Sequence, residues 1–149
     1  MRATFAAGCF WGVQKTFDQV PGVISTTVGY CGGHTESPTY EQVCHGDTGH
    51  AESIDIIFDP QKVSYQQLLE IFWHMYHPAT GEDKKFQYRS AIFYHDAEQQ
   101  QLAVESQAEF AKQNPYAGHV NVQIANASPF YAAEDYHQKY YLKHGANSC

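Results

Sequence analysis

A cysteine followed by two aromatic residues is the feature of this sequence best suited to chemistry. Cys9 follows a glycine and directly precedes Phe10 and Trp11. The hydrophobic pattern predicts a short strand over residues 4–7 and a helix over residues 10–20, so Cys9 stands where the helix begins. The free N–H groups and the dipole of a helix N-terminus stabilise a thiolate, the nucleophilic form of cysteine. The motif indicates a nucleophile beside apolar side chains, although a buried, inert cysteine at a tight turn would have the same local sequence.

A carboxyl group, Glu52, stands on the apolar face of the clearest predicted strand, residues 51–59. Strand alternation places Glu52 on the same face as Ile54, Ile56 and Phe58. Loss of solvation on that face raises the pKa of a carboxyl group, so we expect Glu52 to stay protonated near neutral pH and to act as a general acid. An exposed Glu52 at a frayed strand end is the alternative that the alternation allows.

The composition limits the classes of function. The chain has 149 residues, which predicts a single domain over residues 1–149. The net charge is −7 and the nine Lys and Arg residues are scattered, which argues against binding to nucleic acid or to an anionic membrane. We expect neither a signal peptide nor a membrane span. Four cysteines are too few for a disulfide scaffold and favour a reduced, cytoplasmic protein in which one thiol reacts.

The remaining patterns predict a mixed fold of strands and helices. Residues 31–48 read as a loop with room for one short helix, and residues 78–85 as a polar loop. Further strands are predicted over 23–30, 89–95 and, more weakly, 119–124, and further helices over 65–76, 97–113 and 131–144. The order βαββαβ predicts an α+β domain with a ferredoxin-like split βαβ core, to which a C-terminal strand, a helix and a flexible tail are added. A fold of this kind does not by itself identify a function.

Six sequence blocks, spread over nearly the whole chain, occur together in one enzyme family. They are Gly8–Gly12, Val28–Gly33, Pro38–Cys44, Thr48–Glu52, Gln87–Ser90 and Ala133–Gln138. In this order they resemble the class A peptide methionine sulfoxide reductases. The resemblance implies thiol-dependent reduction of the S epimer of methionine sulfoxide, free or in proteins, which repairs oxidative damage.

The resemblance also implies a role for each matching residue. Cys9 attacks the sulfoxide sulfur and ends as a sulfenic acid, while Glu52 protonates the oxygen. Tyr40 and Tyr88 match two tyrosines that hydrogen-bond this oxygen, which suits an atom gaining negative charge in the transition state.

Phe10 and Trp11 resemble the hydrophobic clamp that holds the terminal methyl group of the substrate. A methyl sulfoxide is apolar at one end and strongly dipolar at the other, so an aromatic surface and a few donors recognise both ends.

The match departs from the family pattern around Asp83. The loop over residues 75–86 is shorter than is usual, with His77 before a proline and Lys85 where glycine is common. Asp83 still aligns with a family aspartate, four residues before Gln87, and is expected at the site. Because this loop leads into Gln87 and Tyr88, its shorter length leaves the range of substrates and the role of Asp83 open.

A second thiol must regenerate Cys9 after each turnover. Cys149 follows a small polar tail that can bring its thiol to Cys9, and we expect it to form the disulfide that resolves the sulfenic acid. Cys31 and Cys44 are alternative resolving residues. By resemblance, thioredoxin or another dithiol reduces the disulfide, and no bound cofactor or metal is required. We expect a monomer.

Other classes of function remain open from the residues alone. A non-catalytic domain that recognises oxidised methionine would keep Phe10 and Trp11 but has no need for Cys9, Glu52 and Cys149 together. A thiol hydrolase would need His and Asn partners that cannot be identified. A cluster of cysteines and histidines suggests a metal-binding module. The cluster lacks the close Cys pair of most zinc sites, which argues against this alternative. That cluster contains Cys31, His34, Cys44, His45 and His50.

Overall fold

A six-stranded sheet forms the centre of the fold in the computed structural model, which describes residues 1–8, 10–45, 48–76, 89–114 and 122–140. The strands are β1 (Arg2–Ala7), β2 (Val23–Cys31), β3 (Ala51–Phe58), β4 (Ser90–Tyr94), β5 (Gln123–Asn126) and β6 (Tyr131–Ala132). The helices within these ranges are α1 (Phe10–Asp18), α2 (Tyr40–Cys44), α3 (Tyr65–Met75) and α4 (Ala97–Gln113), and a 3₁₀ turn covers Asp135–His137.

Strand β1 lies inside the sheet, between β4 and β3. The strand order is β5-β4-β1-β3-β2-β6, and all neighbouring pairs are antiparallel except β4 and β5. This mixed arrangement confirms the predicted α+β class. The register pairs Phe5 with Ile54 and Tyr30 with Glu52. The end of β1, the start of β3 and the end of β2 therefore lie side by side.

Phe5 of β1 is at the centre of the larger hydrophobic cluster. Its ring centroid lies 5.7 Å from that of Phe17 in α1 and 5.9 Å from that of Tyr65 in α3. Because one side chain contacts both helices, α1 and α3 cover the same face of the sheet. The next residue of β1 points to the opposite face. The cluster on that face contains Ala6, Cys31, Ala51, Ala91 and Phe93.

Helix α3 begins at the position that the sequence predicts, because Ser64 caps it. Ser64 Oγ accepts a hydrogen bond from the Gln67 N–H at 3.1 Å, and Gln67 Oε1 accepts one from the Ser64 N–H at 2.8 Å. The aromatic face of α3 packs on α4 through Trp73 and Phe110, with ring centroids 4.8 Å apart. In the ranges that the structure describes, no helix has the length and apolar character needed to cross a membrane.

The predicted last helix, residues 131–144, is wrong over residues 131–139. Tyr131 and Ala132 form strand β6 on the edge of β2, and the 3₁₀ turn follows. The Ala133 N–H donates to the Val28 carbonyl at 2.9 Å, so the backbone is committed to the sheet instead of to a helix. Lys139 has φ 55°, which is incompatible with a continuous α-helix.

The predicted strand over residues 119–124 is displaced toward the C-terminus. Strand β5 covers Gln123–Asn126 because it pairs in parallel with β4, from Ala91 opposite Gln123 to Tyr94 opposite Asn126. Residues 119–121 of the predicted strand, the predicted loop over 78–85 and the predicted tail over 146–149 lie outside the described residues.

Replacement of Phe5 by alanine tests the central position of its ring. Phe5 is fully buried, and truncation of a buried Phe leaves a cavity, so Phe5→Ala is expected to lower the free energy of unfolding by about 3–5 kcal/mol. Urea denaturation followed by circular dichroism measures the change. The control is Ile24→Ala in β2, where the side chain is 67% exposed and the effect should stay within about 0.5 kcal/mol. Equal losses in the two variants would contradict this account of the core.

Candidate active site

The start of α1 meets the buried carboxyl group of Glu52. Gly8 has φ 96°, in the left-handed region that favours glycine, and turns the chain from β1 toward α1. Glu52 Oε1 accepts a hydrogen bond from the backbone N–H of Phe10, the first residue of α1, at 3.3 Å. Glu52 is 1% exposed, which confirms its predicted place on the apolar face and rules out the exposed alternative.

Tyr30 connects this region to a second carboxyl group, Glu134. Tyr30 lies opposite Glu52 in the register of β2 and β3, and its hydroxyl donates to Glu134 Oε1 at 3.0 Å. Glu134 Oε2 accepts a hydrogen bond from the backbone N–H of Tyr40, the first residue of α2, at 3.1 Å. Burial, followed by the charge of Glu134, raises the pKa of Tyr30, so its hydroxyl stays a proton donor. Glu134 thereby fixes the start of α2, where Tyr40 is located.

Glu134 is held in its ionised form by these contacts. Burial alone would raise the pKa of its carboxyl group, but hydrogen bonds from its own backbone, from the Tyr40 N–H and from the Tyr30 hydroxyl outweigh burial and lower that pKa. A carboxylate that accepts several hydrogen bonds is a firm anchor at neutral pH.

Three aromatic rings lie around the ring of His137, close to Glu52. We call this group the aromatic cluster, and it contains Phe10, Trp11, Tyr40 and His137. The centroid of the His137 ring lies 5.2 Å from that of Phe10, 5.6 Å from that of Trp11 and 4.4 Å from that of Tyr40. The indole Nε1–H of Trp11 donates to His137 Nδ1 at 3.0 Å. The structure therefore brings together three residues that the sequence assigns to the site, with a histidine between them.

Residues 133–139, called the C-terminal segment here, hold Glu134 and His137 in place. The side chain of Gln138 accepts from the Val28 N–H at 3.0 Å and donates to the Val28 carbonyl at 2.8 Å, as a neighbouring strand would. The Lys139 ammonium forms an ion pair with Asp18 of α1 at 2.6 Å. The segment is therefore fixed to both β2 and α1, the elements that flank the aromatic cluster.

Tyr30, Glu134 and His137 were not identified as site residues from the sequence. All three lie in the blocks that match the family, Val28–Gly33 and Ala133–Gln138. The sequence therefore marked these three residues only as members of blocks that match the family. It could not be converted into contacts, because the partners are up to 126 residues away in the chain.

Four residues that the sequence assigns to the site lie outside the described residues: Cys9, Asp83, Tyr88 and Cys149. Of the two alternative resolving thiols, Cys31 is fully buried, and its Sγ lies 3.6 Å from the Ser128 carbonyl oxygen. Burial raises the pKa of the Cys31 thiol, which disfavours the thiolate. Cys44 is half-buried at the end of α2.

One of the histidines suggested as metal ligands, His50, uses its side chain to hold the fold together. His50 Nδ1 accepts a hydrogen bond from the Gly33 N–H at 3.0 Å, and His50 Nε2 lies 2.6 Å from the Thr35 carbonyl oxygen. His50 therefore uses both ring nitrogens to hold the loop after β2. Within the described ranges, no group of three or more His, Cys, Asp and Glu side chains is arranged to hold a metal ion.

The sequence match to one family extends over the whole chain. The family model described as peptide methionine sulfoxide reductase, PMSR, matches residues 1–149. The chain belongs to the class A peptide methionine sulfoxide reductases. It is similar to the MsrA of Methanosarcina acetivorans, with 53% identity over 148 residues, which are 97% of this chain and 79% of that protein. It is 49% identical to the MsrA of Escherichia coli K12 over 154 residues, which cover 99% of this chain and 73% of that protein.

Solved structures of this family have the same fold. Methionine sulfoxide reductase A of Corynebacterium diphtheriae gives a TM-score of 0.91 at 32% identity, covering 99% of this chain and 76% of that one. Mxr1 from Saccharomyces cerevisiae in reduced form gives a TM-score of 0.85 at 28% identity, covering 100% of this chain and 88% of that one.

The ionised state of Glu134 predicts a loss of stability in acid. Because the pKa of Glu134 is lower in the folded protein, its contribution is present above the unfolded value of about 4.3 and is lost as the pH falls through the folded pKa. The free energy of unfolding of the wild type should therefore fall more steeply between pH 5 and pH 3 than that of Glu134→Gln, whose amide does not titrate. Urea denaturation at each pH measures both slopes, and parallel slopes would contradict the role of the carboxylate.

Proposed function

We propose that this chain reduces the S epimer of methionine sulfoxide, free or within proteins, to methionine and so repairs oxidative damage. The observation that carries the proposal is the buried carboxyl group of Glu52, hydrogen-bonded to the N–H of the residue that follows Cys9. The family match over residues 1–149 supports the same reaction. Removal of an oxygen atom from sulfur requires a thiol and a proton donor close to each other.

In the first step the Cys9 thiolate attacks the sulfoxide sulfur, so a sulfur–sulfur bond forms as the sulfur–oxygen bond of the substrate breaks and the protonated oxygen leaves as hydroxide. Hydroxide then attacks the Cys9 sulfur, which breaks the sulfur–sulfur bond and releases methionine. The oxygen ends on the Cys9 sulfur as a sulfenic acid, so the substrate sulfur gains the two electrons that the cysteine sulfur loses. Glu52 donates a proton to the oxygen as that bond weakens, because burial favours the protonated form of a carboxyl group. Tyr40 and Tyr88 donate hydrogen bonds to the same oxygen.

Phe10 and Trp11 bind the methyl group of the substrate. Asp83, which stands four residues before Gln87 in the sequence, is a further member of the catalytic site. The ring of Phe10 is buried and that of Trp11 is half-buried, so the two residues offer an apolar surface with limited access to water. Methionine sulfur also makes favourable contacts with aromatic rings. This arrangement supports selection for a small apolar group beside a dipolar one.

In the second step the Cys149 thiol condenses with the Cys9 sulfenic acid, which releases water and forms a disulfide. A dithiol protein such as thioredoxin then reduces this disulfide, and no bound cofactor or metal takes part. Mxr1 from Saccharomyces cerevisiae has been solved in complex with Trx2, and that structure gives a TM-score of 0.65 at 19% identity over 94% of this chain. The full burial of Cys31 supports Cys149 as the resolving residue.

The same proposal includes the organisation of the chain. The order β4-β1-β3-β2, with α1 between β1 and β2 and α3 between β3 and β4, supports a ferredoxin-like split βαβ core. The sheet continues from this core to β5 and β6, which supports one domain over residues 1–149. A cytoplasmic location fits the reaction, because the thiols need a reducing compartment. We also propose that the protein is a monomer.

Single-turnover reduction of the separate epimers of N-acetyl-methionine sulfoxide tests the reaction. The reduced protein should convert the S epimer and leave the R epimer, with methionine measured by chromatography. Cys9→Ser should abolish the reaction, and any residual turnover would contradict the assignment. Cys149→Ser should release about one methionine per protein and then stop, because no thiol resolves the sulfenic acid. Normal thioredoxin-supported cycling of that variant would exclude Cys149 from the mechanism.

Replacement of Glu52 by glutamine tests the proton donor. The amide oxygen can still accept from the Phe10 N–H, but the amide cannot supply a proton, so the rate of the first step should fall by about 10²–10⁴-fold and its pH dependence should weaken. Stopped-flow measurement of a single turnover gives both quantities. The control is Glu70→Gln on α3, which removes an exposed carboxyl group and should leave the rate unchanged. An unchanged rate in Glu52→Gln would count against the acid role.

A further inference from the structure

Tyr136 is an exposed aromatic residue at the edge of the aromatic cluster, with no part in the reaction as proposed above. The residue is 56% exposed, and its ring centroid lies 4.1 Å from that of His137. His137 contacts Phe10 on its other side, with centroids 5.2 Å apart. Tyr136 is therefore one ring away from the surface proposed to bind the methyl group. Because single exposed aromatic side chains are common on proteins, its significance depends on its surroundings.

The backbone around Tyr136 is fixed although its side chain is exposed. In the 3₁₀ turn the His137 N–H donates to the Glu134 carbonyl at 2.9 Å, and the Gln138 N–H donates to the Asp135 carbonyl at 3.1 Å. The side chain of Gln138 holds the same stretch to β2. An exposed ring on a fixed backbone loses little conformational freedom when a ligand binds to it.

Two carboxyl groups give the surroundings of Tyr136 a negative charge. Glu134 precedes it in the turn, and Glu134 Oε2 accepts from the Tyr40 N–H at the start of α2 at 3.1 Å. Glu41, the next residue of α2, is exposed. Burial, followed by the charges of Glu134 and Glu41, raises the pKa of Tyr136, so both carboxylates act on its hydroxyl.

No basic side chain among the described residues neutralises these carboxylates by an ion pair. The ion pairs found there join Arg2 to Asp55 and Lys139 to Asp18. Lys139 is the basic residue of the C-terminal segment and is therefore already bound. The face of an aromatic ring attracts a cation within about 6 Å, and nearby carboxylates strengthen that attraction. The surroundings of Tyr136 thus fit an ammonium or guanidinium group supplied by another molecule.

We propose that Tyr136 and Glu41 form a subsite for a lysine or arginine side chain that lies close in sequence to the oxidised methionine of a protein substrate. The cation lies against the ring of Tyr136, and Glu41 and Glu134 supply the opposite charge. An extended peptide advances at most about 3.6 Å per residue, so residues within two positions of the methionine reach Tyr136 from the aromatic cluster. The proposal rests on the proposed function for its substrate, whereas the contact with the cation is independent of the reaction.

Matched peptide substrates test the subsite in the full-length reduced protein. Blocked five-residue peptides carry the S epimer of methionine sulfoxide at the centre and one lysine at one of the four other positions. Their partners carry acetyllysine, which has a similar size but no charge. With a small dithiol as reductant, kcat/KM should be about threefold to tenfold higher for lysine at one position or more, mainly through KM. The ratio should fall as NaCl is added.

Equal kcat/KM values for lysine and acetyllysine at every position would overturn the proposal. N-acetyl-methionine sulfoxide, which has no neighbouring residue, is measured in parallel. If the protein does not reduce this compound or any peptide, the proposed function fails, and the binding measurement described below decides on the subsite.

Four variants separate the contact with the cation from simple packing, each judged by its own ratio of lysine to acetyllysine. Tyr136→Phe keeps the aromatic face and should keep the preference. Tyr136→Leu is apolar without that face, and Glu41→Gln lacks the charge, so both should lose most of it. The control is Glu70→Gln, which removes an exposed carboxyl group from α3 and should leave the ratio unchanged. A preference that survives in Tyr136→Leu and Glu41→Gln would overturn the proposal.

Binding of the reduced peptides reports on the subsite without requiring activity. The ¹⁵N-labelled protein is titrated with the methionine forms of the lysine and acetyllysine peptides, and the amide signals are followed by NMR. The signals of Tyr136 and Glu41 should shift with the lysine peptide and much less with its acetylated partner. Equal shifts would overturn the proposal, whether or not the protein reduces sulfoxides. It would also be overturned if Tyr136→Leu raised KM for thioredoxin and left the peptide ratio unchanged, because the surface would then receive the reductant.

Discussion

The hydrogen bond between the Phe10 N–H and Glu52 joins the first helix to the middle of the sheet, and the arrangement of the site depends on it. It requires β1 to lie beside β3, so that the chain leaving β1 passes the start of β3. It also places a carboxyl group at a helix N-terminus, where backbone N–H groups have no partner within the helix. The geometry of the sheet thus puts the carboxyl group of Glu52 next to the first residue of α1.

The C-terminal segment is as important to the site as the strands are. Glu134 holds the start of α2 and the hydroxyl of Tyr30, and Gln138 satisfies both backbone groups of Val28. One stretch of seven residues, 133–139, therefore positions groups from α1, β2 and α2. Since its contacts reach residues about a hundred positions earlier in the chain, they form only in the folded protein.

The sequence predicted the parts of the fold that local pattern determines. Alternation along β3 correctly placed Glu52 among apolar residues, and the Ser64 capping box correctly placed the start of α3. It failed over residues 131–139, which were predicted to be part of the last helix. There, pairing with β2 and the bonds of Gln138 provide the backbone with partners that no local pattern reveals. His137 and Glu134 were missed for the same reason, because their roles depend on distant partners.

The stacking of Tyr140 on Trp11 limits how far Cys149 can lie from the aromatic cluster. Tyr140 is fixed against the aromatic cluster, and eight residues of chain lie between it and Cys149. Whatever path these residues take, they span at most about 30 Å. Cys149 is thus tethered to the aromatic cluster, beside which the proposed Cys9 sulfenic acid would form. If Cys149 resolves the Cys9 sulfenic acid as proposed, the encounter of the two residues is intramolecular and does not depend on the concentration of the protein.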